Sequence, residues 1–246
     1  MESVIYNDDC FNKFASIPDK SVQLVCVDLP YNQTDCKWDK EIIDLEKMWI
    51  ELKRILKPNG QAVFFCTTKF GYKLIASNEK WFRYDIIWEK DNSVGFLSAN
   101  KMPLRIHEMI YVFHNDKKPK NVNWIYNPQK TEGKPYKRNC EITFNELYKL
   151  KKISHDTDNK GDRFPISILN FCYDKKKLHR TQKPLALCEW IVKTYSNEGD
   201  VVMDFTMGSG STIIACINTK RKYVGIEKDK DIFLTAEKRI NETLDK

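Results

Sequence analysis

Short runs of β-branched and apolar residues alternate along this chain with longer stretches whose apolar positions recur at helical spacing. Val22-Gln-Leu-Val-Cys-Val-Asp28 is continuous and β-rich and ends in an acid, which predicts a buried parallel strand whose carboxyl end feeds a site. Between Asp39 and Lys57 the apolar positions Ile42, Ile43, Leu45, Met48, Trp49, Leu52, Ile55 and Leu56 predict a helix, which Pro58-Asn59-Gly60 should end. Gln61–Cys66 reads as the next strand, and Phe82–Glu89 and Ile106–Phe113 as two more. The pattern lapses after Phe113 and returns at Pro184, the first-turn proline of a helix over Leu185–Tyr195. A strand Val201–Phe205, a glycine turn at Gly208-Ser-Gly210, a helix from Ser211, a strand Lys222–Ile226 and a helix from Lys230 complete the chain. Strands alternating with helices predict an α/β fold: a Rossmann-like, mostly parallel sheet flanked by helices.

Length and charge refine this picture. A chain of 246 residues suits one catalytic unit, 1–246, whose halves 1–114 and 161–246 flank an insert, 115–160. The insert holds 11 Lys or Arg against 6 Asp or Glu, so it carries most of the chain's formal charge of +7. Trp124, Tyr126, Tyr136, Phe144 and Tyr148 are interleaved there, a composition suited to a polyanion, although a solvated loop over local aromatic clusters would look similar. Eight cysteines without a CxxC pair or metal-ligand spacing read as buried, reduced thiols and imply no metal. With no leader pattern and no run of ~18 apolar residues, a cytoplasmic, nucleoid-associated protein with no membrane partner is expected.

Two short segments carry the chemistry. In Asp204-Phe-Thr-Met-Gly-Ser-Gly-Ser-Thr212 the glycines let the chain turn tightly between strand and helix and let a ligand approach the backbone. Glu227 ends the following strand, where an acid can accept hydrogen bonds from ribose hydroxyls. A nucleoside site follows, shared in logic with NAD enzymes, but the GxGxxG fingerprint those enzymes need after their first strand is missing. The second segment, Asp28-Leu-Pro-Tyr31, could be an acid before an ordinary proline turn. It could also activate an exocyclic base amine, whose lone pair is delocalised into the ring. The Asp28 carboxylate and the Leu29 carbonyl would accept the two amine hydrogens, and Tyr31 would stack on a base extruded from the duplex.

Together these segments resemble the DNA amino-methyltransferases, whose catalytic signature is Asp/Asn/Ser-Pro-Pro-Tyr and whose cofactor loop is Asp-Pro-Phe-x-Gly-Ser-Gly-Thr. The catalytic motif precedes the cofactor loop here, as in the permuted beta class. Asn7-Asp-Asp-Cys10, Trp38-Asp39, Ile106-His-Glu-Met-Ile110 and Thr181-Gln-Lys-Pro184 also match, so the resemblance covers nearly the whole chain except about 115–160. It implies the S-adenosylmethionine-dependent methyltransferase fold in permuted motif order and S-adenosyl-L-methionine as cofactor. It makes Asp28, Leu29, Pro30 and Tyr31 catalytic, and Asp9, Cys10, Asp28, Lys183, Asp204, Thr206, Gly208, Ser209, Gly210, Ser211, Thr212 and Glu227 cofactor-binding. Asp9 belongs near the cofactor's adenine and Lys183 near its methionine end, with a loop acid and a solvated lysine as the plain alternatives, and Asp8 competing with Asp9. His179 is a loop residue on this reading. Leu29 replaces the first proline of the motif, and Phe205 and Thr206 stand where proline and phenylalanine are usual.

An aspartate-headed motif resembles the adenine-specific enzymes, so N6 of adenine in DNA is the expected target and N4 of cytosine the alternative. A catalytically idle DNA-binding protein on the same scaffold is a more distant one. Carbon-5 cytosine methylation would need a Pro-Cys nucleophile, and no such dipeptide occurs. The expected partner is double-stranded DNA, engaged by Lys117, Lys118, Lys120, Lys137 and Arg138 of the insert acting as a target-recognition region. A homodimer and a cognate restriction endonuclease are further candidates.

Overall fold

The computed structural model describes residues 1–31, 43–114, 124–142, 153–175 and 182–245. They divide into two compact units, Met1–Asn127 with Ser167–Lys246, and Pro128–Ile166. The larger unit begins with β1 (Val4–Asn7), α1 (Cys10–Phe14), β2 (Val22–Asp28), α2 (Leu45–Ile55), β3 (Leu56–Cys66), α3 (Thr68–Ser77), β4 (Phe82–Val94) and β5 (Arg105–His114). The smaller unit contains β6 (Thr131–Glu132), β7 (Tyr136–Ile142), β8 (Ile153–Asn159) and β9 (Asp162–Arg163). β10 (Ile168–Asn170), α4 (Leu185–Tyr195), β11 (Val201–Asp204), α5 (Ser211–Asn218), β12 (Lys222–Glu227) and α6 (Lys230–Leu244) return to the larger one.

Eight strands form one sheet in the order β1-β12-β11-β2-β3-β5-β4-β10. Only the pairings that involve β5 are antiparallel. Alternate residues of the central strands enter separate cores, as the twofold period of a strand requires. Val25 and Val27 of β2 join Phe64 of β3 and Met203 of β11 under α1, α2 and α3. Leu24, Cys26, Val63 and Val202 face the other way, against Leu187 and Ile191 of α4, Ile213 of α5 and Ile240 of α6. Buried on both faces, β2 needs its near-continuous apolar run. Among the described residues, no helix is long and apolar enough to cross a membrane.

Two local expectations are corrected. Of the helix expected over Asp39–Lys57, residues 39–42 lie outside the described set; the described helix is Leu45–Ile55, capped by Asp44, whose Oδ1 accepts from the Lys47 amide at 3.1 Å. Leu56 turns directly to extended backbone, so Pro58-Asn59-Gly60 sits inside β3 rather than beyond a helix, held by a 3.0 Å bond from Gln23 Nε2 to the Asn59 carbonyl. Five cysteines are buried as expected, but Cys172 is exposed.

Candidate active site

β11 and β2 are adjacent and parallel, and from this pair the chain continues outward in both directions, to β12 and β1 on one side and to β3 on the other. Such a switch point leaves a crevice at the carboxyl ends of the strands. A cavity of about 480 Å³ lies there, lined among others by Asp9, Asp28, Lys183, Gly208, Ser211 and Glu227. Cys10, Pro30, Asp204, Thr206, Ser209 and Thr212 line it too, so two sequence-distant motifs and the amino-terminal segment share one space.

The glycine loop owes its shape to backbone freedom and a few anchors. Gly208 has φ +51°, and a Cβ built on it meets nothing within 4 Å, so the loop presents open space where it faces the cavity. Glu227 fixes the loop from the next strand: its carboxylate accepts from the Gly208 amide at 2.9 Å and from the Asp229 amide at 2.9 Å. Gly210 is different. It is absent from the cavity lining, and a Cβ there would stand 3.4 Å from Ala236 and 3.5 Å from Ile240 of α6. Ser211, in the first turn of α5, buries its hydroxyl beside the cavity with no hydrogen-bond partner among the described residues. Arg239, unassigned from the sequence, braces the loop by donating to the Ser209 carbonyl at 2.5 Å.

Asp204 is buried and accepts from the Thr206 amide at 3.1 Å. Burial pushes its carboxyl up to about 7, against the hydrogen bonds from Thr212 and Thr206. Thr206 takes no aromatic role; its hydroxyl donates to the Asp28 carbonyl at 3.1 Å and ties the loop to the Asp28 segment. Phe205 is buried in the core, 5.3 Å ring to ring from Phe14, and also borders the cavity. Asp9 caps α1 through a 2.9 Å bond from the Phe11 amide and approaches Lys228 at 3.4 Å, and Asp8 also borders the cavity. Glu227 and Cys10 are pushed above their ordinary values chiefly by burial, the thiol to about 12.

Asp28 is the most crowded group. Tyr31 donates its hydroxyl to Oδ1 and rests its ring 5.2 Å from Phe70. Lys183 Nζ lies 2.7 Å from Oδ2 and 2.9 Å from Glu108 Oε2, so the structure places this lysine on Asp28. The other Glu108 oxygen pairs with Lys90, which is only 6 % exposed. Burial raises the Asp28 carboxyl, and Lys183 opposes that rise. Leu29 buries its side chain in the core, which fixes the motif beneath the cavity. Glu108 belongs to the Ile106-His-Glu-Met-Ile110 segment, whose resemblance to the family implies no role for it, and Lys90 has no local signal in the sequence. Lys137 and Arg138 are exposed on β7 in the smaller unit, whereas Lys117, Lys118, Lys120, Trp38, Asp39, His179, Arg180 and Thr181 lie outside the described residues.

A family model described as DNA methylase matches residues 22–238. Type II methyltransferase M.HinfI of Haemophilus influenzae is 28 % identical over 274 residues, covering 98 % of this chain and 68 % of its own. Among solved structures, M1.HpyAVI superposes with a TM-score of 0.65 at 25 % identity, covering 96 % of this chain and 98 % of its own. The PvuII DNA methyltransferase, titled cytosine-N4-specific, gives 0.64 at 14 % identity, covering 100 % and 92 %, and so shares the fold.

Proposed function

The chain belongs to the DNA methylase family and is a DNA methyltransferase that uses S-adenosylmethionine; from that premise we propose that its target is the N6 amino group of adenine in double-stranded DNA. The observation that carries this reading is the Asp28 carboxylate at the cavity wall, joined through its own carbonyl to the glycine loop by Thr206. An aspartate heading the catalytic motif favours adenine, by resemblance to the adenine-specific enzymes. One relative's cytosine-N4 title, at 14 % identity, speaks to the fold alone.

The residues present fit the cofactor. The open face of Gly208, the Ser211 hydroxyl, unpartnered among the described residues, and the acids Glu227 and Asp9 offer a backbone surface, a donor and acceptors to a nucleoside bearing an amino-acid tail. When bound, the cofactor supplies an electrophilic methyl group on a sulfonium centre. The protein's task is then to expose the amine lone pair. Asp28 and the Leu29 carbonyl accept the two amine hydrogens, drawing the nitrogen toward tetrahedral geometry. The new N–C bond would form as the S–CH3 bond breaks and the sulfur leaves as a neutral thioether; the nitrogen then holds one proton too many, and the hydrogen-bonded Asp28 carboxylate is the group to receive it. Tyr31 offers an aromatic face to a base turned out of its stack.

The proposed target-recognition region is the insert 115–160, most of whose described residues fall in the smaller unit, Pro128–Ile166. None of the described residues between 128 and 166 is buried, and Lys130, Tyr136, Lys137, Arg138 and Phe164 are exposed.

Digestion to nucleosides of DNA treated with the purified protein, followed by mass spectrometry, tests the assignment. N6-methyladenine with the wild type, and none with Asp28→Ala although calorimetry shows cofactor still binding, is the expected result. N4-methylcytosine would move the target to cytosine. An Asp28→Ala rate within about tenfold of wild type would remove Asp28 from the chemistry.

A further inference from the structure

Behind Asp28 the buried charges alternate along a path through four parts of the fold. Asp28 at the end of β2 meets Lys183, just ahead of α4; Lys183 meets Glu108 on β5; Glu108 meets Lys90 on β4. The side chains of Lys183, Glu108 and Lys90 are 13 %, 17 % and 6 % exposed. Aromatic faces enclose them: Lys183 Nζ lies 5.0 Å from the Phe65 ring, and Lys90 Nζ 5.2 Å from that of Trp88. Asp28, at the cavity, is 28 % exposed, but taking the three charges behind it largely out of water costs several kcal/mol per ion before pairing, and apolar replacements of similar volume often serve stability as well or better. Fold stability alone therefore explains the row poorly.

The sharing of Lys183 gives it a use. A lysine paired with Asp28 alone would place its whole charge on the carboxylate that must accept from the target amine. Divided between two carboxylates, the same ammonium still fixes Asp28 in place but withdraws less of its basicity. Resting on the reading of Asp28 as the amine acceptor, we propose that Glu108, backed by Lys90, is a positioning residue for methyl transfer: it holds Lys183 midway, so that Asp28 stays aimed and remains a strong acceptor. Lys90 neutralises Glu108, which would otherwise be an uncompensated buried charge.

The titratable groups facing this row are Tyr31 from the segment after β2, Cys66 at the end of β3, Tyr173, Cys188 of α4 and Asp204 at the end of β11, whose own carboxyl, pushed up to about 7, stays the same in every variant below. Burial raises the Glu108 carboxyl, but Lys183 and Lys90 outweigh it and leave the group below its ordinary value. Glu108 and Lys90 therefore bear on Asp28 with opposite signs. Transfer needs ionised Asp28 and fails as pH falls through its pKa. Removing the Glu108 charge lets the Asp28 carboxyl fall and carries the acid limb of the rate profile to lower pH. Removing the Lys90 charge carries it to higher pH.

The test measures single-turnover methyl transfer to duplex DNA against pH, with steady-state constants and melting curves, for the wild type, Glu108→Gln, Glu108→Asp and Lys90→Met. Glu108→Gln should lower kcat by about tenfold with both KM values within about threefold, and shift the acid limb down. Lys90→Met should shift the limb up, and Glu108→Asp should return it toward the wild-type position. Should the single variants fail to fold, Lys90→Met/Glu108→Gln removes both charges together and should keep the kcat loss. Limbs that stay in place, limbs that move the same way, or a folded double variant with wild-type kcat would each overturn the proposal. Wild-type transfer that ignores all of these changes sinks this inference alone, whereas a wild type that methylates no DNA sinks the activity assignment with it.

Discussion

At the scale of single residues, the site is built from acids whose surroundings differ. Asp28 is raised by burial and opposed by Lys183, while Asp204, buried at the cavity wall, rises to about 7 against its hydrogen bonds from Thr212 and Thr206. An unfolded aspartate titrates near ~3.9, so between about pH 4 and 7 the folded protein holds a proton that the unfolded chain has released. The unfolded state binds fewer protons over that window. Unfolding free energy attributable to Asp204 must therefore decline as pH rises, then level off above about 7. Asp204→Asn keeps an acceptor for the Thr206 amide but does not titrate. Urea melts of the two proteins should show the wild type losing ground to the variant by up to roughly 1.4 kcal/mol per pH unit from about pH 5 to 7. A difference that stays flat with pH would mean that Asp204 is ionised throughout.

At the scale of elements, the two glycines of the loop separate by what lies beyond them. Both hold positive φ, so any side chain strains the backbone. Gly208→Val projects into open cavity and should weaken cofactor binding at least tenfold by calorimetry, with a modest fall in Tm. Gly210→Val drives into Ala236 and Ile240, so its larger effect should be on Tm, cofactor affinity falling only as folding fails. Equal affinity losses at matched stability would erase the distinction. From the sequence the two glycines look interchangeable, because only the packing of α6 tells them apart. The bounds of β2 and α4 were legible, since β2 is an almost unbroken buried run and α4 carries a buried stripe at helical spacing from Leu187 to Tyr195. β1 was not: four residues at a sheet edge carry too little periodicity, and only pairing with β12 makes them a strand. α3 was hidden by Gly71 in its centre, a poor helix former kept because a Cβ there would stand 2.0 Å from the Tyr111 ring. Lys90 and Glu108 were illegible for another reason. Their meeting depends on the β4–β5 register and on a lysine 75 positions away, and no local pattern encodes it.

At the scale of the whole molecule, a second compact unit, Pro128–Ile166, interrupts the chain that builds the sheet, and none of its described residues is buried. Its hairpin pairs Lys137 with Asp158 and Arg138 with Thr157, and cations cover its aromatics: Lys130 over Phe164 at 4.4 Å, Arg163 over Tyr136 at 4.8 Å. Such pairs leave charge at the surface, where a phosphate backbone can meet it. If Lys137 and Arg138 each neutralise a phosphate, replacing both with glutamine should flatten the dependence of log affinity on log salt by about 0.9 per lost contact, near 1.8 in all. Asp158 stands opposite Lys137 in the register, but its carboxylate pairs with Lys160 at 2.9 Å, so the two single variants should divide the change about equally. Lys117, Lys118 and Lys120 form a second set for the same measurement, and the two sets should add if both face DNA. Binding of a fixed duplex across a salt series, with cofactor affinity as the folding control, reads these slopes. A protein that binds cofactor normally and keeps its full slope after all five replacements recognises DNA through some other surface, and the insert would then need a different explanation for its charge.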